Sequence, residues 1–262
     1  DATSSHDFMF PGGDFSEFLN TSTSIIEFGG DNYGTLPTSP GSPSHPLQNV
    51  ILSGTGIKYL PSGTAEQING SLTIENGTKL NNSRNNLNII IKGDWIDENP
   101  TSTGFVPSTS TVTFAGGTTQ DIKLSNNATT FYNLVINNTG GDGVVVTDGD
   151  NGFSVSNCLT LTNGYVYTDE SHLLTLSAAT TNYSGGSGNS FVDGPMGRYI
   201  AANGNAKFPI GNAERYALTP ISNVSTAGIW VIKYHNNDPD NGSSPCADSQ
   251  SCAHREHAIE RQ

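Results

Sequence analysis

Apolar residues fall along this chain in bursts of about five positions that alternate with Thr, Ser or Asn and stop at Asn-Gly, Gly-Gly or Gly-Asp pairs. Period-two alternation places one set of side chains on one side of an extended strand, and the Gly and Asn pairs supply turns between strands. "LQNVIL" (Leu47 to Leu52), "NGSLTIENG" (Asn69 to Gly77), "STSTVTFAGG" (Ser108 to Gly117) and "FYNLVI" (Phe131 to Ile136) are typical. The pattern predicts an almost entirely β chain. The longest apolar pieces are of the size of "NIII" and "GVVV", far below the roughly 18 residues a membrane helix needs, so no direct membrane insertion is expected.

The bursts echo one another. "STSIIEFGG" (Ser22 to Gly30) matches "STSTVTFAGG", with Phe28 placed 86 residues before Phe114. "LQNVIL" matches "FYNLVI" at an offset of 84, "NGSLTIENG" matches "SNCLTLTNG" (Ser156 to Gly164) at 87, and "LNII" from Leu87 matches "LTLS" from Leu174 at 87. "GGDF", ending at Phe15, precedes the first copy and "KGDW", ending at Trp95, the second. Four ordered matches predict two related units of about 86 residues, each divisible into about four coils of 20 to 25 residues.

That division favours a parallel β-helix (β-solenoid) over an antiparallel sandwich, since a solenoid stacks equivalent short strands with Val, Ile and Leu pointing inward. The expectation is a solenoid over 1–184 with a dry, aliphatic inside. Corner Asn residues such as Asn76 and Asn163 are expected to take positive φ and to hydrogen-bond along the stack. The Pro/Gly-rich insertion from Gly29 to Pro46 is expected to bulge outward. An exposed stack end is an aggregation-prone edge, and the more aromatic strands over 185–240 read as a smaller antiparallel β module that caps it. Residues 241–262 read as a loop-like tail with a truncated end at "AHREHAIERQ". At the other end the chain starts at Asp1 without a basic-then-apolar leader, the mark of a removed signal peptide or an excised fragment.

Charge narrows the partners. Asp and Glu number 24 against 11 Lys and Arg, a formal charge of −13, and the cations are scattered singly. Nucleic acid needs clustered cations to neutralise phosphates, so it is not expected as a partner. Of three cysteines, Cys158 reads as a small core hydrophobe in an alternating strand. Cys246 and Cys252 lie in a polar tail and would pair in an oxidising compartment, a disulfide the spacing leaves open.

The ordered series "KGDW…STSTVTFAGGTTQDI…TTFYNLVINNTGG", "CLTLTNGYVYT" and "GNSFVDGPMGRYI…KFPIGNAERYALTPIS" resembles large secreted surface proteins of Bacteroidota, including gliding-motility-type adhesins. The resemblance runs from about Gly12 to His235. It implies a β-solenoid stalk, an extracellular or cell-surface location, export by type IX secretion, and a structural or adhesive role with no transferable catalytic residues.

Chemistry is sparse. A β-helix glycosidase would need two carboxylates about 5 to 9 Å apart, which Asp94, Asp97, Glu98, Asp148 or Asp150 would have to supply; a lyase would need cations that this region lacks. "TDGDNG" (Asp148 to Gly152) and "NDPDNG" (Asp238 to Gly242) put carboxylates in Gly turns without the Asp spacing of an EF-hand. Cys246, Cys252, His254 and His257 are zinc-type residues outside a two-pair finger spacing. His6, His45 and His172 read as surface residues, and nine Asn-x-Ser/Thr sequons, Asn69, Asn76, Asn137 and Asn223 among them, follow from the composition. No catalytic, metal or cofactor residue is therefore assigned. Tyr165, Tyr167 and Tyr183 would form a sugar-stacking strip if they shared a face. The expected function is a non-enzymatic rigid stalk or filament component, its partners self-association or surface glycans; the alternative is a carbohydrate-binding module or a polysaccharide-degrading enzyme.

Overall fold

The computed structural model describes residues 21–31, 33–37, 46–101, 103–125, 129–140, 143–147, 152–213, 215–235 and, for backbone, 257–261. Among these there is no helix, and the chain winds as a parallel β-solenoid of about seven turns with a small mixed sheet near its C-terminus.

The spiral has three faces. The first stacks Ile25–Phe28, Asn49–Leu52, Leu72–Ile74, Trp95–Asp97, Gln120–Leu124, Val144–Thr147, Val166–Tyr167, Val192–Asp193 and Ala206–Asn212, all parallel. The second stacks Gly34–Thr35, Gly56–Tyr59, Thr78–Asn81 and Phe105–Val106. The third stacks Ala65–Ile68, Asn88–Ile91 and Thr111–Phe114, then two long strands, Thr130–Asn137 and Phe153–Asn163. The long strands turn a corner: the ladder between them shifts register between Phe131 and Asn133, and the Phe131 ring lies 6.0 Å from Phe105. Their N-terminal halves thereby carry the second face onward, with Leu174–Leu176 and Met196–Ile200 stacked on Phe153–Val155. Asn182–Gly185 stacks instead on the other half, Cys158–Leu161.

Alternation explains the stacking. Val50, Leu72 and Trp95 are consecutive inward neighbours on the first face, as are Ile68, Ile91, Phe114, Ile136 and Leu161 on the third, all buried. One coil exposes its inner residues above and below, so burial requires the next coil. The interior is mostly aliphatic in the first turns, with Phe28 at its start, but aromatic in the middle: Phe131 sits edge-on to Trp95 at 5.2 Å, Phe114 at 6.3 Å and Phe153 at 5.6 Å. These rings fill a cross-section widened by the long turn between Trp95 and Ile122, a departure from the expected all-aliphatic inside.

Successive register partners on the first face are 22 apart from Val50 to Leu72, then 23 to Trp95, 27 to Ile122 and 24 to Val146. The 84-to-87-residue echoes therefore span about three and two-thirds turns. Phe28, Val50 and Leu72 stand on the first face, whereas Phe114, Leu134 and Leu159 stand on the third; likewise Asn88–Ile91 is on the third and Leu174–Leu176 on the continued second. The echo marks a shared local recipe, a short strand ending at a tight corner, and the structural repeat is the single turn.

Corners also differ from expectation in detail. Positive φ falls on Gly77 (91°) and Gly164 (81°), one residue beyond Asn76 and Asn163. At the first corner Gly30, Gly54 and Gly77 form a column of left-handed residues, and a Cβ on Gly54 would lie 2.5 Å from the Gly30 carbonyl oxygen, a place only glycine fits. Asn does ladder along the outside: Asn163 Nδ2 donates to Asn137 Oδ1 at 2.7 Å and Asn157 Nδ2 to Asn133 Oδ1 at 2.6 Å. Lys58, fully buried, donates from Nζ to the carbonyls of Gly30 and Thr55.

The C-terminal end is closed by reversal of direction. Ala206–Asn212 and Arg215–Ile221 form an antiparallel hairpin on the first face, and Gly228–Tyr234 pairs antiparallel with Met196–Ile200. Parallel stacking thus continues past 184, through Val192–Asp193 and Met196–Ile200, before the antiparallel strands begin. His257–Arg261, placed by the sequence in a loop-like tail, is a further antiparallel strand on Gly228–Tyr234, its Ile259 in register with Ile232. Cys158 is not a core residue. Leu159 and Leu161 take the inward positions of its strand, leaving Cys158 half-buried and outward, with its Sγ near Thr160 Oγ1.

Candidate functional site

The three faces do not end together. The first and second are extended by antiparallel strands, whereas among the described residues none stacks on Asn182–Gly185, where the third face stops. The missing side leaves a cleft of ≈ 450 Å³ lined by Asn182 and Tyr183 below, Arg198 and Lys207 at the sides, and Asn205 and the Pro220–Ser222 edge of the hairpin.

Its two central side chains occupy core positions. Tyr183 pairs in register with Leu159, in the column that runs Ile89, Val112, Leu134, Leu159 below it; it is half-buried against the core and covers the top of that column. Arg198 stands on Leu176, which stands on Val155. Leucine at either position would simply close the core. A guanidinium and a phenol there give the end of the spiral a polar, aromatic floor instead.

The Arg198 fork is fixed. Nη1 donates to the Lys207 carbonyl at 2.8 Å and Nη2 to the Thr181 carbonyl at 3.0 Å, and the guanidinium carbon lies 5.8 Å from the centre of the Tyr183 ring. Two of five N–H donors are thus occupied by neutral carbonyls. No carboxylate lies within ion-pairing distance of Arg198 or Lys207 among the described residues. Burial draws the Arg198 pKa down from its usual value, with the Tyr183 phenol opposing, and burial pushes the Tyr183 phenol up. Arginine stays protonated under such a pull.

The expected tyrosine strip divides. Tyr165 and Tyr167 are neighbours on the first face, 5.9 Å apart, continued by Phe191 at 4.7 Å from Tyr165 and by Tyr216 at 5.9 Å from Phe191. Tyr183 is on the third face and belongs to the cleft. Tyr165 also borders a smaller recess of ≈ 280 Å³ lined by Asn138, Asn163 and Asn189.

The carboxylates weighed for sugar chemistry have structural work. Asp97 is buried and accepts four hydrogen bonds, from Asn99 N and Nδ2, Gly104 N and Thr129 Oγ1. Asp94 accepts from Asp121 N and lies 3.7 Å from Lys123 Nζ. Glu98 is exposed. His172 is bonded to Asp169, whose pKa that contact lowers. Asp148, Asp150, Asp238 to Gly242, Cys246, Cys252, His254, His6 and His45 lie outside the described residues, as do the side chain of His257 and positions 32 and 38–45 of the Gly29-to-Pro46 insertion. The described part of that insertion does not bulge outward as expected: Gly34–Thr35 joins the second-face ladder on Lys58 and Tyr59, and Leu36 is buried in the core. Among the described residues no three His, Cys, Asp or Glu side chains gather as a metal-ligand set.

The sequence reading did not single out Arg198. Its signal was present: period two in "PMGRYI" puts Met196, Arg198 and Ile200 on one side, and an arginine between two buried apolar residues departs from the apolar rank of its own strand. Comparison with known proteins finds no family model, curated protein or solved structure that matches the chain.

Proposed function

We propose that this chain is a non-enzymatic segment of an extracellular surface protein, a short rigid spacer with an adhesive end, as in the Bacteroidota adhesin stalks its sequence resembles. The observation that carries the reading is the parallel ladder: about seven turns share one core, and on the first face the ladder is continuous from Ile25–Phe28 to Ala206–Asn212. At about 4.8 Å per strand spacing, seven turns make a rod roughly 34 Å long whose bending would have to part many backbone hydrogen bonds at once. The acidic charge keeps such a rod soluble and repels non-specific contacts.

The saturated hydrogen bonding of Asp97 and the pairing of Asp94 favour structural over catalytic roles for these carboxylates. A glycan-binding role is the second reading, favoured by the cleft at the end of the third face. Small-angle scattering on the purified chain tests the spacer: an elongated particle with the cross-section of one solenoid is expected, and a flexible, expanded profile over 47–235 would refute it. Negative-stain microscopy tests self-association; filaments would assign the rod to an assembly, and discrete short particles to a single-copy stalk.

A further inference from the structure

We infer that the cleft at the unfinished third face binds an acidic sugar, a hexuronate residue of an oligosaccharide, with its carboxylate on Arg198 and its ring against Tyr183. The inference rests on the adhesive part of the function proposed above and adds the ligand class.

Charge gives the sign. In a chain of formal charge −13, the described residues that line this cleft include Arg198 and Lys207 and no Asp or Glu. A half-buried guanidinium with no counter-ion among the described residues favours an incoming anion, because part of the desolvation of the cation is already present in the free protein. The fork held by the carbonyls of Lys207 and Thr181 is oriented before any ligand arrives, so little side-chain freedom is lost on binding. Planar guanidinium suits planar carboxylate in a two-point contact.

Shape and the remaining groups select a sugar. Tyr183 is held from below by the Leu159 column and offers a flat apolar surface of the kind on which the C–H face of a pyranose packs. Asn182, Asn205 and Ser222 supply both donors and acceptors, which match hydroxyl groups and would be unused by inorganic phosphate or a simple carboxylate. The volume, ≈ 450 Å³, falls in the range of small-ligand sites and suits one or two sugar rings.

The test is titration calorimetry together with amide chemical-shift mapping on the intact chain, using a trihexuronate, its methyl ester, succinate and an acidic tripeptide. The trihexuronate is expected to bind and to shift resonances of residues 181–183, 198, 205–207 and 220–222. Its methyl ester should bind at least about tenfold more weakly, as should succinate and the peptide, a difference of about 1.4 kcal/mol. Arg198→Lys should weaken binding about fivefold or more through loss of the fork, Arg198→Gln should abolish it, and Tyr183→Leu, which still covers the core, should weaken it without lowering Tm. Tyr165→Ala should leave it unchanged. Equal binding of the ester, of succinate or of the peptide would overturn the inference, as would full affinity in Arg198→Gln or absence of binding at about 10 mM ligand. A scattering profile that keeps its rod shape while binding fails separates loss of this inference from loss of the spacer.

Discussion

Glu66 offers a sharp test of how dry the solenoid interior is. It lies in Ala65–Ile68 on the third face, in register with Ile89, and its side chain takes an inward place that leucine-like residues fill in the turns above. It is 3% exposed, its Oε1 has no hydrogen-bond partner, and it shares a void of ≈ 10 Å³ with Leu36, Leu47, Leu60, Leu80 and Ile89. Burial pushes its pKa from 4.5 up to about 8. An acid whose folded pKa is raised stays protonated in the fold but ionises in the unfolded chain, so folding loses stability as pH rises from about 4.5 and the loss levels off above about 8. From the two pKa values, the loss between pH 5 and pH 8 is on the order of 3 kcal/mol for this group alone.

Glu66→Leu removes the titration and keeps the volume. Denaturant unfolding of both proteins at several pH values, with amide exchange over 65–68 and 88–91 to localise the effect, measures the difference. The expected result is a stability advantage for the variant that grows by on the order of 3 kcal/mol from pH 5 to pH 8. Parallel curves across that range would mean that the carboxyl reaches water, and the argument for a sealed first core section would fail.

Phe131→Ala empties the centre of the aromatic cluster and should cost about 3 to 5 kcal/mol in unfolding experiments, with the far-UV signature of the folded chain retained at low temperature. Gly54→Ala meets both the left-handed backbone and the Gly30 carbonyl and should lower stability by more than about 1 kcal/mol, read as a lower denaturant midpoint. Asp97→Ala strands the buried donors of Asn99, Gly104 and Thr129 and should cost on the order of 3 kcal/mol; a neutral outcome would mean that water replaces the carboxylate there.

Short alternating strands ending at Gly corners made the all-β class and the parallel coil legible, because each strand's burial pattern is local. Val50, Leu72 and Ile89 could be placed inward from period two alone. Stack register was harder. The match between Phe28 and Phe114 is a real similarity of strand and corner, but a spiral with three faces allows the same recipe on any of them, and only the ladder shows that the two lie on different faces. Cys158 was misplaced by one position of parity, with Leu159 and Leu161 beside it to set the phase. Arg198 was legible as an exception only after the inward rank of Met196 and Ile200 was known. The cleft depends on where three stacks end relative to one another, which no local pattern encodes.

The parallel ladder fixes how this molecule answers force. Because the bonds between coils point along the axis, tension applied end to end loads them one row at a time, as in a zipper, whereas sideways load is shared by every row. Pulled lengthwise, the rod should therefore yield coil by coil, each releasing about 75 Å of extended chain, and recoil when slack returns. A tether built this way is rigid at rest and becomes a shock absorber under shear flow.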